Sequence, residues 1–289
     1  MCLPEFPIGI LPFLLAEANI GSFVVSHNKI LIFLKNRFAV YFITNPYLPQ
    51  LKKNQLMKSI ITSLFCLFSS FYGFSQQTET QKLMEQDWAN LKKYKLDNET
   101  ILAESRKIPV VFMGNSITEG WINHDPDFFS ENNYINRGIG GQTTPQMLIR
   151  FMPDAVDLKP EIVVILAGTN DIAGNTGASS FKMITNNIKA MAQLAAANNI
   201  KVILSSVLPV YDYPWRPGLQ PIEKIEKINR WLKEFASENN HHYLDYYSAM
   251  VNDEKGLQAD LSEDGVHPNS QGYIMMKILL KKALEKVQE

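Results

Sequence analysis

Cysteine is nearly absent from this 289-residue chain: Cys2 and Cys66 are the only two, both in its first quarter. For everything downstream this excludes a disulfide-stapled scaffold and a cysteine-built metal cluster. An excess of one charge is missing too. With 28 Lys plus Arg against 29 Asp plus Glu the formal net charge is −1, and the basic residues form no long run. The chain therefore has no electrostatic footprint for a nucleic-acid backbone. It also lacks an uninterrupted apolar stretch of the ~18 residues that mark a bilayer-spanning helix, and it lacks internal repeats and low-complexity linkers. What remains, 46% hydrophobic and 20% charged residues, is the composition of ordinary globular domains.

The apolar residues are unevenly spread. From Ser59 to Thr78 no residue is charged, and this stretch directly follows Met57-Lys58. A start methionine, a lysine, an apolar core and the small residues Gly73 and Ser75 read as a secretory signal peptide at residues 57–75, cleaved after Ser75. An uncleaved anchor is the competing reading, but the run is short for a ~30 Å hydrocarbon core and carries several serines. Residues 1–56 hold apolar patches broken by Lys35 and Arg37, without a clean helical or strand period. They read as an upstream extension, with translation starting at Met57; a genuine N-terminal extension is the alternative. Phe65 stands where a small residue precedes a lipoprotein cysteine, so Cys66 is not read as a lipid-attachment site. The expectation is an exported protein, periplasmic or extracellular, with no stable membrane span in the mature chain. Removing residues 1–75 takes away six of the 28 basic and two of the 29 acidic residues, so residues 76–289 carry 22 against 27. That length suits one domain with a real core.

Within residues 76–289 the hydrophobic pattern predicts strands at 109–113, 134–136, 161–167, 201–207 and 242–245. Several are apolar throughout, as parallel strands buried on both faces are. Helical stripes lie between and after them: Phe181, Ile184, Ile188 and Met191; Ile222, Ile225, Ile228, Leu232 and Phe235; Tyr273, Met276, Leu280 and Leu284. Alternation of this kind implies an α/β fold, a five-stranded parallel sheet with helices on both faces. An opening helix is expected around residues 81–94, packed outside this unit. In such folds the ligand site lies beyond the carboxyl ends of the strands, which directs attention to the residues just after each strand.

Those residues are polar and glycine-rich. The first strand is followed by Gly114-Asn115-Ser116-Ile117-Thr118-Glu119, the second by Gly138-Ile139-Gly140-Gly141-Gln142-Thr143-Thr144, and the third by Gly168-Thr169-Asn170-Asp171; Asp264-Gly265-Val266-His267-Pro268-Asn269 precedes the last helix. Taken singly, Ser116 reads as a helix N-cap, the glycine-rich turn as a tight connection and the Asp264–His267 stretch as a capped surface loop. Together, at ends that converge in this fold, they supply a nucleophile, a base, its orienter and anion donors.

The four blocks, in this order, resemble the SGNH hydrolase superfamily, also called GDSL esterases and lipases, from about Ile108 to the C-terminus. The resemblance implies a flavodoxin-like three-layer sandwich and ester hydrolysis by a Ser-His-Asp triad. Ser116 matches the nucleophile, Gly141 the second-block glycine, Asn170 the third-block asparagine, and Asp264 and His267 the D-x-x-H pair. Asn115 stands where the family pattern has Asp, and Ile117 where Leu is usual. The chemistry accounts for these residue types. A serine hydroxyl is a weak nucleophile, so His267 must take its proton as the carbonyl is attacked, while Asp264 holds the imidazole tautomer. The Ser116 and Gly141 N–H groups and the Asn170 amide would form the oxyanion hole. Tyr211, Tyr213 and Trp215, stiffened by Pro209, Pro214 and Pro217, are candidate substrate-binding residues beside an acyl or sugar group, with loop packing as the alternative.

No cofactor or metal is expected. Thr143 occupies the third glycine position of a dinucleotide fingerprint, and His124, His241 and His242 have no Cys or carboxylate partner at ligand spacing. The predicted substrate is a small-molecule or carbohydrate ester with a short acyl group, because no segment is long enough for a lid, residues 248–263 being the one loop able to cover a deeper tunnel. Lysophospholipase or thioesterase activity, or an inactive binding protein of the same shape, are the alternatives.

Overall fold

The computed structural model describes residues 20–26, 29–34, 39–43, 81 and 85–288, and the chain divides into two compact units, Met1–Glu85 and Gln86–Glu289. The expected signal peptide at residues 57–75 lies outside the described residues. In the first unit β1 (Ile20–Ser26), β2 (Lys29–Leu34) and β3 (Ala39–Ile43) form an antiparallel meander. Runs such as KILIFL place apolar residues at consecutive positions, so the two-residue period that betrays a half-buried strand is not visible there.

The second unit carries a five-stranded sheet of β4 (Val110–Gly114), β5 (Ile135–Gly138), β6 (Ile162–Leu166), β7 (Lys201–Ser205) and β8 (His242–Leu244). The spatial order is β5-β4-β6-β7-β8 and every pairing is parallel. This is the flavodoxin-like arrangement, with helices on both faces. The continuous apolar character of the strands follows from it. Val111 and Met113 of β4 point into one core with Val163, Ile165, Val202 and Leu204. Val110 and Phe112 point into the other with Ile162, Val164, Leu166 and Ile203. Each face is a period-two set, and the two sets interleave into one uninterrupted run.

The helices are α1 (Lys95–Ala103), α2 (Ser116–His124), α3 (Pro126–Ser130), α4 (Thr144–Phe151), α5 (Thr169–Ala173), α6 (Phe181–Ala197), α7 (Ile222–Glu238), α8 (Tyr247–Met250) and α9 (Ser270–Gln288). The three predicted stripes are the buried faces of α6, α7 and α9. Local signals set their starts. Ser180 accepts the Met183 N–H at 3.1 Å, and Thr143 with Gln146 forms a capping box ahead of α4, whose second residue is Pro145. Beyond α4, a wider turn at Met152–Val156 includes Pro153, which cannot donate to the helical ladder.

The opening helix is shorter than expected. Residues 81 and 85 are helical, residues 86–94 form turns, and the next helix begins at Lys95. Asp87 accepts the N–H groups of Leu91 and Lys92, both at 2.8 Å, closing a side-chain-capped loop that competes with helix.

Gly138, at the end of β5, is a position where only hydrogen fits. A Cβ built there would lie 2.1 Å from the Glu119 backbone nitrogen. Gly138→Ala must push α2 off the sheet, and it is expected to cost about 2 kcal/mol or more, measured as the loss of unfolding free energy in urea. A variant as stable as the parent would show that α2 does not pack at this distance.

Candidate active site

β4 is the strand at which the sheet order reverses, with β5 on one side and β6 on the other, so the crevice beyond its carboxyl end is the natural ligand site. Ser116 stands there, as the first residue of α2. Asn115 caps the helix through its side chain, which accepts the Ile117 N–H at 3.0 Å. The Asn found where the family pattern has Asp thus satisfies the same orphan donor.

The second element comes from the other end of the chain. The loop ahead of α9 is wound around Asp264, whose Oδ1 accepts the N–H groups of Val266 at 2.9 Å and His267 at 2.7 Å. Ser262 adds a bond from its hydroxyl to the His267 carbonyl at 2.7 Å. This turn aims the His267 ring so that Nδ1 lies 2.7 Å from Asp264 Oδ2 and Nε2 lies 2.9 Å from Ser116 Oγ. A carboxylate oxygen can only accept, so Nδ1 carries the proton and Nε2 presents its lone pair to the Ser116 hydroxyl. Burial would raise the Asp264 carboxyl, but the bonds from the His267 ring and from the two backbone N–H groups outweigh it and hold it below the ordinary carboxylate value. One further bond locks the halves together: the Tyr273 hydroxyl, in the first turn of α9, donates to the Ile117 carbonyl at 2.8 Å.

The second block makes a tight turn closed by Gln142 N–H to the Ile139 carbonyl at 3.3 Å. Gly141 takes φ +73°, the left-handed value required at the third position of a type II turn. A side chain there would meet nothing nearer than Asn175 Nδ2 at 3.9 Å, so glycine is needed for its backbone angle rather than for clearance. Gly140 lies against Ser116, a built Cβ falling 3.9 Å from Ser116 Cβ, and its N–H donates to Glu119 Oε2 at 2.6 Å. Among the described residues, the N–H groups of Ser116 and Gly141 have no hydrogen-bond partner. Asn170, buried in α5, donates one amide hydrogen to the Gln142 carbonyl at 2.9 Å, which leaves the other free.

The three aromatic candidates separate. Trp215 is 46% exposed and its ring centroid lies 6.1 Å from that of His267. Tyr211 is 62% exposed and borders a groove with Asp212, Leu219 and Lys224. Tyr213, expected on the same wall, is fully buried: its hydroxyl is bonded to Thr169, and its ring supports Trp215 at 5.2 Å. Alternation along the loop turned it inward. Residues 248–263 bury Leu257 and Leu261 in the core shared with α9. Both His267 and Asp264 keep over a third of their side-chain surface exposed, so the site opens directly to solvent. His124 contacts Ser270 Oγ at 3.0 Å, while His241 and His242 border a separate cleft with Lys286.

Several residues at the site carry no single-position signal in the sequence. Residues 88–94 strap the second block: Gln142 Nε2 donates to the Ala89 carbonyl and Gln146 Nε2 to the Trp88 carbonyl, each at 2.7 Å, Lys93 pairs with Glu119, and the Tyr94 hydroxyl donates to the Gly138 carbonyl. Arg150 is buried behind Gly114 and Gln142. Its signal is spacing, since Met147, Arg150, Phe151 and Asp154 share one helical face.

A flavodoxin-like sheet thus brings Ser116, His267 and Asp264 into one hydrogen-bonded relay at its reversal point. The model of the GDSL-like lipase/acylhydrolase family matches residues 112–274, and the chain belongs to that family. A Bacteroides fragilis structure described as a candidate acylhydrolase is 47% identical, with a TM-score of 0.67, over 71% of this chain and 100% of that one. Esterase TesA of Pseudomonas aeruginosa is 27% identical over 54% of this chain and 73% of its own length. An acetylxylan esterase of Geobacillus stearothermophilus is 24% identical over 49% and 67%. The chain spans about a third of two other curated relatives, 33% of the Bacillus subtilis lipoprotein YqeF and 31% of a Streptococcus agalactiae N-acylneuraminate cytidylyltransferase.

Behind Asn170, Asp171 is buried with its carboxylate accepting the Thr144 N–H at 2.9 Å and the Thr144 hydroxyl at 2.6 Å. Burial, opposed by these bonds, pushes its carboxyl up to about 6. As the pH falls through that value the folded protein takes up a proton before the unfolded chain does, so this group's contribution to stability grows from about pH 6 down to about 4, is fully present below, and is lost as the pH rises through about 6. Asp171→Asn should flatten that part of the stability profile, measured as Tm against pH. An unchanged profile would place the titration elsewhere.

Proposed function

We propose that the protein is a carboxylic ester hydrolase in which Ser116, His267 and Asp264 form the catalytic triad. The observation that carries this reading is the unbroken relay from Ser116 Oγ through His267 to Asp264, 2.9 and 2.7 Å long, beside two unengaged backbone N–H groups. As Ser116 Oγ attacks the ester carbonyl, its proton passes to His267 Nε2, and the imidazolium is stabilised by ionised Asp264. The tetrahedral oxyanion is held by the N–H groups of Ser116 and Gly141 and by the free amide hydrogen of Asn170. His267 returns the proton to the departing alkoxide, leaving an acyl-Ser116. A water, deprotonated by His267, then releases the acid and restores the serine.

The preferred substrate is a short acyl ester, acetyl first, on a polar and possible carbohydrate leaving group. Three features support this choice. The relay is solvent-open, Trp215 offers a flat face beside His267 of the kind a sugar ring stacks on, and one relative is an acetylxylan esterase. Export through the signal at residues 57–75 fits a substrate met outside the cytoplasm.

Ser116→Ala and His267→Ala are each expected to lower kcat by on the order of 10³-fold or more, with the double variant no worse than the singles, because the triad acts as a unit. Retention of a tenth of the activity by Ser116→Ala would sink the mechanism. Since the Asp264 carboxyl is held below its usual range, the acid limb of kcat/KM should have unit slope, with Asp264 ionised throughout it; a slope of two would contradict it. Across p-nitrophenyl acetate, butyrate, octanoate and palmitate, kcat/KM should fall with chain length, and a rise would favour a lysophospholipase or thioesterase. The intact mass of secreted protein should correspond to a chain beginning at or beside Gln76.

A further inference from the structure

Three chain segments must keep a fixed separation if the oxyanion donors are to converge: the end of β4 ahead of Ser116, the turn at Gly141 and the start of α5 at Asn170. One side chain that cannot touch substrate bonds two of them and is linked to the third through Gln142. Arg150, in the last turn of α4, is 0% exposed. Its Nη2 donates to the Gly114 carbonyl at 3.0 Å, two residues before Ser116. Its Nε donates to Gln142 Oε1 at 2.6 Å, one residue after Gly141. The main-chain carbonyl of that same Gln142 receives the Asn170 amide at 2.9 Å.

The remaining contacts hold the guanidinium still. Nη1 donates to Asp154 Oδ2 at 3.0 Å, which balances the buried charge. Asp154 Oδ1 in turn accepts Asn98 Nδ2 at 2.8 Å, and Asn98 Oδ1 accepts Arg137 Nε at 3.0 Å. Because the guanidinium donors lie in one rigid plane, filling them fixes the acceptors relative to one another. An arginine that served only to stabilise the core could use any acceptors within reach. Here two of its three belong to the segments bearing the oxyanion donors, and its charge is cancelled by Asp154, so its influence on the site is one of distance.

We propose that Arg150 is a positioning residue, which through the Gly114 carbonyl and Gln142 sets the spacing of the Ser116 N–H, the Gly141 N–H and the Asn170 amide for the tetrahedral intermediate. The inference rests on the esterase reading above. It separates binding from turnover: the ester reaches an intact surface, but the donors no longer meet the oxyanion.

The test uses the mature protein with Arg150→Lys, Arg150→Met and Gln142→Met, together with Ser116→Ala as reference. Thermal unfolding establishes which variants fold, and p-nitrophenyl acetate gives kcat, KM and the acid limb of the pH profile. Gln142→Met removes the side-chain bridge while leaving Arg150 and Asp154 paired, so it decides the matter even if Arg150→Met does not fold. Folded Gln142→Met should lose about 30-fold in kcat, with KM within about threefold and the acid limb unmoved, since misplaced donors weaken only transition-state binding. Arg150→Lys, able to keep the Asp154 pair, should lose less than Arg150→Met. The proposal is overturned if folded Gln142→Met and Arg150→Lys keep kcat within threefold of the parent, or if KM rises as much as kcat falls. An unaltered kcat in Ser116→Ala would instead remove the esterase reading itself.

Discussion

The site hangs on the parallel pairing of β4 with β6, in which Gly114 lies opposite Leu166. Two parallel strands that end level deliver their following residues into the same crevice, and the reversal of strand order at β4 keeps that crevice free of a crossover helix. Ser116 and Asn170, 54 positions apart in the chain, are neighbours for this reason. Ser116 also opens α2, whose first N–H groups have no intrahelical acceptor and carry the positive end of the helix dipole. The unengaged N–H of Ser116 is therefore a by-product of where a strand stops and a helix starts.

Rigidity beneath the nucleophile comes from the aromatic side of the sheet. Phe112 of β4 meets Trp121, Phe128 and Phe129 edge-on, with centroids 5.4–6.4 Å apart, and Trp121 stacks on Tyr273 at 5.6 Å. Such contacts add to area burial and resist rotation. Tyr273 then spends its hydroxyl on the Ile117 carbonyl, so the helix after His267 and the helix of Ser116 move together. The relay between residues 151 positions apart is held by this packing as much as by its own bonds.

Several polar groups buried behind the site are paired. Arg150 is paired with Asp154, Asp171 with Thr144, and Asn170 with the Gln142 carbonyl. Each pairing meets the desolvation cost of a buried group and orients a segment of the site at once. At the rim, Glu119 anchors Gly140, and Lys93 pairs with the same carboxylate.

Much of this was legible from residue order. Five strands, the parallel sheet, the stripes of α6, α7 and α9 and the members of the relay follow from periodicity, helix starts and four short blocks, because those signals depend on residues near one another in the chain. Other features did not follow. Residues 81–94 read as one helix, yet helix is present only at residues 81 and 85 of that stretch, and from residue 86 the Asp87 side chain captures the backbone of residues 91 and 92 as a loop. Tyr213 read as a binding residue, yet Thr169 offered its hydroxyl a buried partner. Arg150 belongs to none of the four blocks, yet it is buried against the Gly114 carbonyl and Gln142. In each case the outcome was decided by an acceptor that becomes a neighbour only after folding. By itself, then, the sequence determined the elements and the short blocks that carry the relay, which local pattern encodes. The tertiary structure alone decided which polar groups are buried together and how far apart the donors stand, since hydrogen-bond partners from distant segments leave no mark on local pattern.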